Sequence, residues 1–264
     1  MLDRLSTCRV PRRPPNAYLS VSRLHRPKAG FWIRFCVVVL YPLDSLLYRI
    51  RFEHLERVPP PEAGGIIIAI NHISEIDTVL MARLVWQAGR IPRFMIKASL
   101  FPKPIIGSVF RGAGQIPVYR GTTTAASSLD EAVHALDQGE AIVIYPEGTT
   151  TRDPQRWPME AKTGIARLVL QAPHIPVVPV GQWGAQKGQR LTPTRLIRRR
   201  RCLASVGEPL DLSRYAGAEP TSAVLREITD LIMTAVRDEV AGLRGQTPPV
   251  TFSKTAPVRV DKLT

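Results

Sequence analysis

GGIIIAINHISEIDTVL, residues 64–80, decides the fold class. Gly64 and Gly65 introduce the apolar, β-branched run 66–70, which is short and shows no polar alternation, so it reads as a buried strand ending at Asn71. A helix follows from about residue 76 to residue 88. A strand buried on both faces and succeeded by a helix belongs to a parallel sheet, whose chemistry sits in the loops at the carboxyl ends of its strands. The polar pair Asn71-His72 lies at such an end, with Asp77 five residues beyond the histidine.

Outward from this stretch the alternation continues. Strands are expected at 94–97, 115–119, 141–145, 177–180 and 202–206, and helices near 105–110 and at 123–137, 164–171 and 221–243. The last helix carries Leu225, Ile228, Ile232, Val236 and Val240 at three-to-four spacing. The reading is an α/β fold: a single domain with a mostly parallel central sheet flanked by helices, preceded by an interfacial amphipathic helical segment. Its limits are a basic flexible tail over 1–30, a membrane-interface helical segment over 31–58, the α/β domain over 59–243 and a disordered polar extension over 244–264.

The chain has 264 residues, 44% of them hydrophobic, enough for one large domain with a full core. Its three cysteines, Cys8, Cys36 and Cys202, have neither metal-ligand spacing nor the density of a disulfide framework, so a reducing compartment and no metal are expected. The net charge of +14 is concentrated in two patches, residues 1–30 and 190–201, each with a net charge of +6. Such patches suit phosphates on a membrane surface, a nucleic acid or an acidic carrier, but neither has interleaved aromatics or another nucleic-acid motif.

Residues 31–52, FWIRFCVVVLYPLDSLLYRIRF, are strongly apolar but interrupted by Arg34, Pro42 and Asp44. A spanning helix needs about 20 apolar residues, roughly twice the clean run available here. Two short helices bent at Pro42 and lying in the bilayer interface fit the pattern; a buried amphipathic helix of the core is the alternative.

On an ideal helix, residues five apart lie about 140° apart around the axis, so His72 must precede the helix if Asp77 is to reach back to it. Asp77 would then fix the tautomer, leaving the other ring nitrogen as a base for a substrate hydroxyl. Three further stretches stand at strand exits or turns: GQIPVYRG (114–121) with Arg120, IYPEGTTTRD (144–153) with Glu147, Gly148 and Thr149, and HIPVVPVG (174–181) after a Lys162-Thr163-Gly164 turn. In this order the four blocks resemble those of the glycerolipid acyltransferases, the family that includes lysophosphatidate acyltransferase.

The resemblance implies that His72 deprotonates the acceptor hydroxyl, which attacks the thioester of an acyl-coenzyme A or acyl-carrier-protein donor, while Asp77 orients the histidine. No cofactor and no acyl-enzyme are implied. Arg120, Glu147, Gly148 and Thr149 are implied at the acceptor's glycerol phosphate, with Glu147 on the acceptor's hydroxyls or holding Arg120, because a carboxylate repels phosphate. The block at 175–179 is expected to form a wall of the pocket. Where the family often has Glu-Gly-Thr-Arg-Ser, Thr150 stands in place of the arginine, and two readings are open: Arg152 or Lys162 substitutes as phosphate ligand, or the acceptor's headgroup differs from bare glycerol phosphate. The expected partners are an anionic membrane surface, a lysophospholipid acceptor and the acyl donor, with no nucleic acid; the expected place is the cytoplasmic face of the cell membrane, peripheral or monotopic. The leading acceptor is 1-acyl-sn-glycerol 3-phosphate, with another lysophospholipid, glycerol 3-phosphate or a glycolipid as alternatives. A non-enzymatic binding protein is the competing class.

Overall fold

Helix α1 (Phe31–Leu47) and strand β1 (Tyr48–Glu53) divide the segment that was expected to be helical throughout. The computed structural model describes residues 29–119, 125–185 and 199–254. Pro42 lies within α1, which continues through it as one helix rather than two. Beyond Leu47 the period changes: Tyr48, Ile50 and Phe52 alternate with Arg49, Arg51 and Glu53, which places the apolar side chains on one face of an extended chain. Tyr48 is buried, and β1 pairs in parallel with the distant β7 (Arg200–Val206).

The remaining strands are β2 (Ile66–Ile70), β3 (Pro92–Lys97), β4 (Ile116–Val118), β5 (Ala141–Ile144) and β6 (Val177–Trp183), in the sheet order β1-β7-β6-β2-β5-β3-β4. Pairing is parallel except between β6 and β7. The helices are α2 (Asp77–Gln87), α3 (Pro104–Gly112), α4 (Ala125–Asp137), α5 (Gly164–Gln171) and α6 (Ser222–Arg244).

Strand β2 shows why this sheet forms. All five residues are fully buried: Ile67 and Ala69 join the core beneath α4, α5 and α6, while Ile66, Ile68 and Ile70 join the one beneath α2. Each buried isoleucine contributes about 1.5–3 kcal/mol, and a strand covered on both faces gains on every residue. Gly65 is required by close approach, since a Cβ there would stand 2.3 Å from the Leu136 carbonyl oxygen at the end of α4.

Helix α1 packs on α2 through Asp44, a buried carboxylate whose Oδ1 accepts from Arg83 Nη1 at 2.7 Å. Its opposite side is bare: Phe31 and Val38 are 72% and 70% exposed. Among the described residues no helix is long and apolar enough to cross a membrane.

At the other end, α6 stops at Gly245, whose φ of 59° lets the chain reverse. Residues 246–254, expected as part of a disordered extension, fold back over the domain, with Arg237 donating to the Pro249 and Val250 carbonyls and Glu160 N to the Ser253 carbonyl. Residues 255–264, the tail 1–28 and residues 190–198 of the second basic patch lie outside the described residues.

Candidate active site

Because β2, β3 and β5 run parallel, their carboxyl ends open at one edge of the sheet. Asn71 ends β2 and is fully buried, exchanging hydrogen bonds with Gln182 of β6: its side chain accepts from Gln182 N at 2.8 Å and its carbonyl from Gln182 Nε2 at 2.7 Å. This fixes the point at which the chain leaves the sheet, and the next residue is His72.

The turn 73–76 then brings Asp77, the first residue of α2, back toward the histidine. Asp77 Oδ2 lies 3.0 Å from His72 Nδ1 and accepts the Ile73 and Ser74 N–H groups at 2.7 and 2.8 Å. The carboxylate is fully buried, and its other oxygen is without a hydrogen-bond partner. Burial pushes its pKa up against the opposing pull of His72 and the two backbone donors. A carboxylate at Nδ1 selects the tautomer with the proton there and leaves Nε2 as the ring nitrogen available to a substrate.

Glu147 holds the same residue by its backbone. It is fully buried, its Oε1 accepting from His72 N at 2.9 Å and its Oε2 from Met159 N at 3.0 Å. Burial raises its pKa to about 8. Both oxygens are engaged by backbone, so the side chain clamps two loops together instead of facing an acceptor's hydroxyls. Gly148 follows with φ of 69°, in the region glycine tolerates, and Thr151 N donates to the His72 carbonyl at 2.6 Å. Tyr145 packs its ring 4.4 Å from the imidazole.

A cavity of about 790 Å³ opens beside His72. Gly148, Thr149, Thr150, Arg152 and Lys162 line its polar end, so both cations named from the sequence border the same cavity as His72. Asp77 and Glu147 lie behind this lining, and Arg120 falls outside the described residues. The residues 175–179 are not part of the lining; Ile175 is in the core, and the rest belongs with β6 beside β2. Lys97, at the carboxyl end of β3, and Tyr145 line the cavity and were not singled out from sequence. The parallel order of β3 next to β5 brings Lys97 there, whereas the aromatic ring just before Pro146-Glu147 was the available signal for Tyr145.

Away from this end the cavity is apolar. It follows one face of α2 from Thr78 through Val79 and Ala82 to Trp86, about 12 Å at the rise of an α-helix. Phe94 of β3, Val109 of α3, and Val37 and Leu40 of α1 close it. One end thus offers a base and cations and the other an apolar slot.

The model of the acyltransferase family matches residues 49–183, a span that takes in His72, Asp77, Glu147 and the cavity's polar end. The chain belongs to the acyltransferase family. It is 25% identical over 208 residues to the 1-acyl-sn-glycerol-3-phosphate acyltransferase of Bacillus subtilis, covering 78% of this chain and 95% of the relative. It is 27% identical over 173 residues to the chloroplastic 1-acyl-sn-glycerol-3-phosphate acyltransferase LPAT1 of Arabidopsis thaliana, covering 62% of this chain and 42% of that one. The crystal structure of the 1-acyl-sn-glycerophosphate (LPA) acyltransferase PlsC from Thermotoga maritima shares the fold, with a TM-score of 0.55 at 20% identity over 86% of this chain and 87% of the other. The protein is an enzyme of acyl transfer.

Proposed function

We propose that this acyltransferase moves a fatty acyl group from an acyl thioester, of coenzyme A or acyl-carrier protein, to the free hydroxyl of 1-acyl-sn-glycerol 3-phosphate, giving phosphatidate. The observation that carries the reading is the placement of a carboxylate-backed histidine between a cationic end and an apolar slot of one cavity. His72 Nε2 takes the acceptor's hydroxyl proton as its oxygen attacks the thioester carbonyl. The tetrahedral intermediate collapses with release of the donor's thiolate, which recovers that proton from the imidazolium, so no residue is acylated. Asp77 opposes the positive charge that forms on the ring. Arg152, Lys162 and Lys97 take the phosphate, guanidinium binding it through two donors and ammonium as a point charge. The apolar slot along α2 takes an acyl chain.

Such an acceptor lies in a bilayer, and the bare side of α1 provides the means of reaching it. Phe31, Val38 and the 80% exposed Ile105 of α3 enter the cytoplasmic leaflet, with Arg34 and Lys103 at the anionic headgroups. The name and source of the Bacillus relative support the acceptor, as does the complement of cations at the site.

The test is acyl transfer from labelled acyl-coenzyme A by purified protein in anionic liposomes, with lysophosphatidate, glycerol 3-phosphate and lysophospholipids of larger headgroup offered in parallel. Conversion of lysophosphatidate to phosphatidate, with the other acceptors at least tenfold slower, is the expected result. Preference for another acceptor would refute the headgroup assignment.

A further inference from the structure

The connection between β5 and α5, residues 145–163, carries much of the cavity's polar end yet contains no helix or strand of its own. A long irregular loop needs outside support to hold side chains in place. Part of that support is internal: Asp153 Oδ1 accepts from Gln155 N at 2.9 Å and Trp157 N at 3.1 Å, and Thr151 Oγ1 donates to the Trp157 carbonyl at 2.8 Å. The rest comes from the far end of the chain. The Arg244 guanidinium lies over the rings of both Trp157 and Trp183, 3.8 and 4.2 Å from their centres, and donates to the Gln155 carbonyl at 3.0 Å. Beyond the reversal at Gly245, Ser253 bonds to the Asp153 carboxylate through its hydroxyl and receives the Glu160 N–H on its carbonyl, pairing beside Met159. Arg237 anchors this returning segment, lying over the Phe252 ring and binding two of its carbonyls.

We propose that Arg244 and the returning segment 246–254 are positioning residues for acyl transfer, bracing the loop 147–160 against the acceptor. The brace reaches the base itself. Met159 is held beside Ser253 and gives its N–H to Glu147, whose other oxygen holds His72. Loosening the segment therefore moves Thr149 and Arg152 first and the histidine second. The inference rests on the reading that this loop binds the acceptor.

The test uses the full chain in anionic liposomes with Arg244→Ala, Ser253→Asp and Ser253→Thr. Ser253→Asp sets a second carboxylate against Asp153 from an exposed position on the returning segment, so it keeps the test open if Arg244→Ala folds poorly; Ser253→Thr retains the hydroxyl. Two readouts are taken: steady-state kinetics with acceptor and donor varied separately, and the rate of tryptic cleavage at Arg152 and Arg156, which lie in the loop. Arg244→Ala and Ser253→Asp are expected to cleave at least fivefold faster and to raise the acceptor KM about 5- to 20-fold, with the donor KM within twofold and Ser253→Thr like the parent. Unchanged cleavage in both disruptive variants would overturn the brace. Faster cleavage with an unchanged acceptor KM would overturn its positioning role and count against the acceptor site, while leaving acyl transfer by the parent enzyme untouched.

Discussion

Replacing Asp77 by Asn separates the charge of this residue from its geometry. Oδ2 accepts two backbone N–H groups and the His72 ring, so an asparagine must place its amide oxygen there; its NH2 in that position would confront two donors. The NH2 then takes the place of the unpartnered Oδ1, and the ring keeps its tautomer. What disappears is the negative charge facing the imidazolium. Unit charges about 4 Å apart at an effective dielectric near 20 attract by about 4 kcal/mol. At roughly 1.4 kcal/mol per decade of rate, this corresponds to a kcat lower by ~10²–10³. Folding should not suffer, because burial already disfavours the charged carboxylate and the amide removes that penalty. The assay is acyl transfer in liposomes beside a thermal melt. An Asp77→Asn enzyme within threefold of the parent would refute the role of the charge, and a melting temperature lowered by 5 °C or more would refute the account of the hydrogen bonds.

Three further outcomes follow from the site and the surface. His72→Ala should lose at least ~10³ in kcat while binding anionic liposomes as the parent does, a pair of results read by transfer and by sedimentation. Glu147 has its pKa raised from 4.5 to about 8, so the folded state retains a proton that the unfolded chain releases. Its contribution is present below pH 4.5 and lost as pH rises through about 8, by up to about 5 kcal/mol; denaturant midpoints from pH 5 to 9 should fall in the parent and flatten in Glu147→Gln. Val38→Asp with Ile105→Asp should weaken liposome binding at least tenfold, since each apolar side chain withdrawn from lipid forfeits about 1.5–3 kcal/mol, and turnover on a soluble acyl acceptor should persist.

How far sequence alone led depends on the range over which each signal acts. Strand β2 was legible because its five apolar residues sit between paired glycines and a polar exit, and α2 because its apolar positions recur on a helical face. The six residues of β1 were absorbed into the preceding apolar segment, although Tyr48, Ile50 and Phe52 alternate; their partner strand lies some 150 residues away, and pairing at that distance leaves no local mark. His72 and Asp77 were legible as neighbours in the chain. Glu147 was visible only as a charge at a strand exit, since the two backbone donors that engage it come from separate loops. The contact of Arg244 with Trp157 and Trp183 lay out of reach for the same reason.

Helix α1 presents Val37 and Leu40 to the cavity and Phe31 and Val38 to the exterior. The partition between the slot and the surroundings is therefore about 10 Å thick, the width of one helix. Its fastening to the domain includes a single buried ion pair, Asp44 with Arg83, near its carboxyl end, while at the other end the Trp32 indole lies flush against Gly112. Both sides of that partition are apolar, so a hydrocarbon chain in the slot and one lying against the outer side of α1 are separated by little more than the helix backbone and its own apolar side chains, and neither is in contact with water through it.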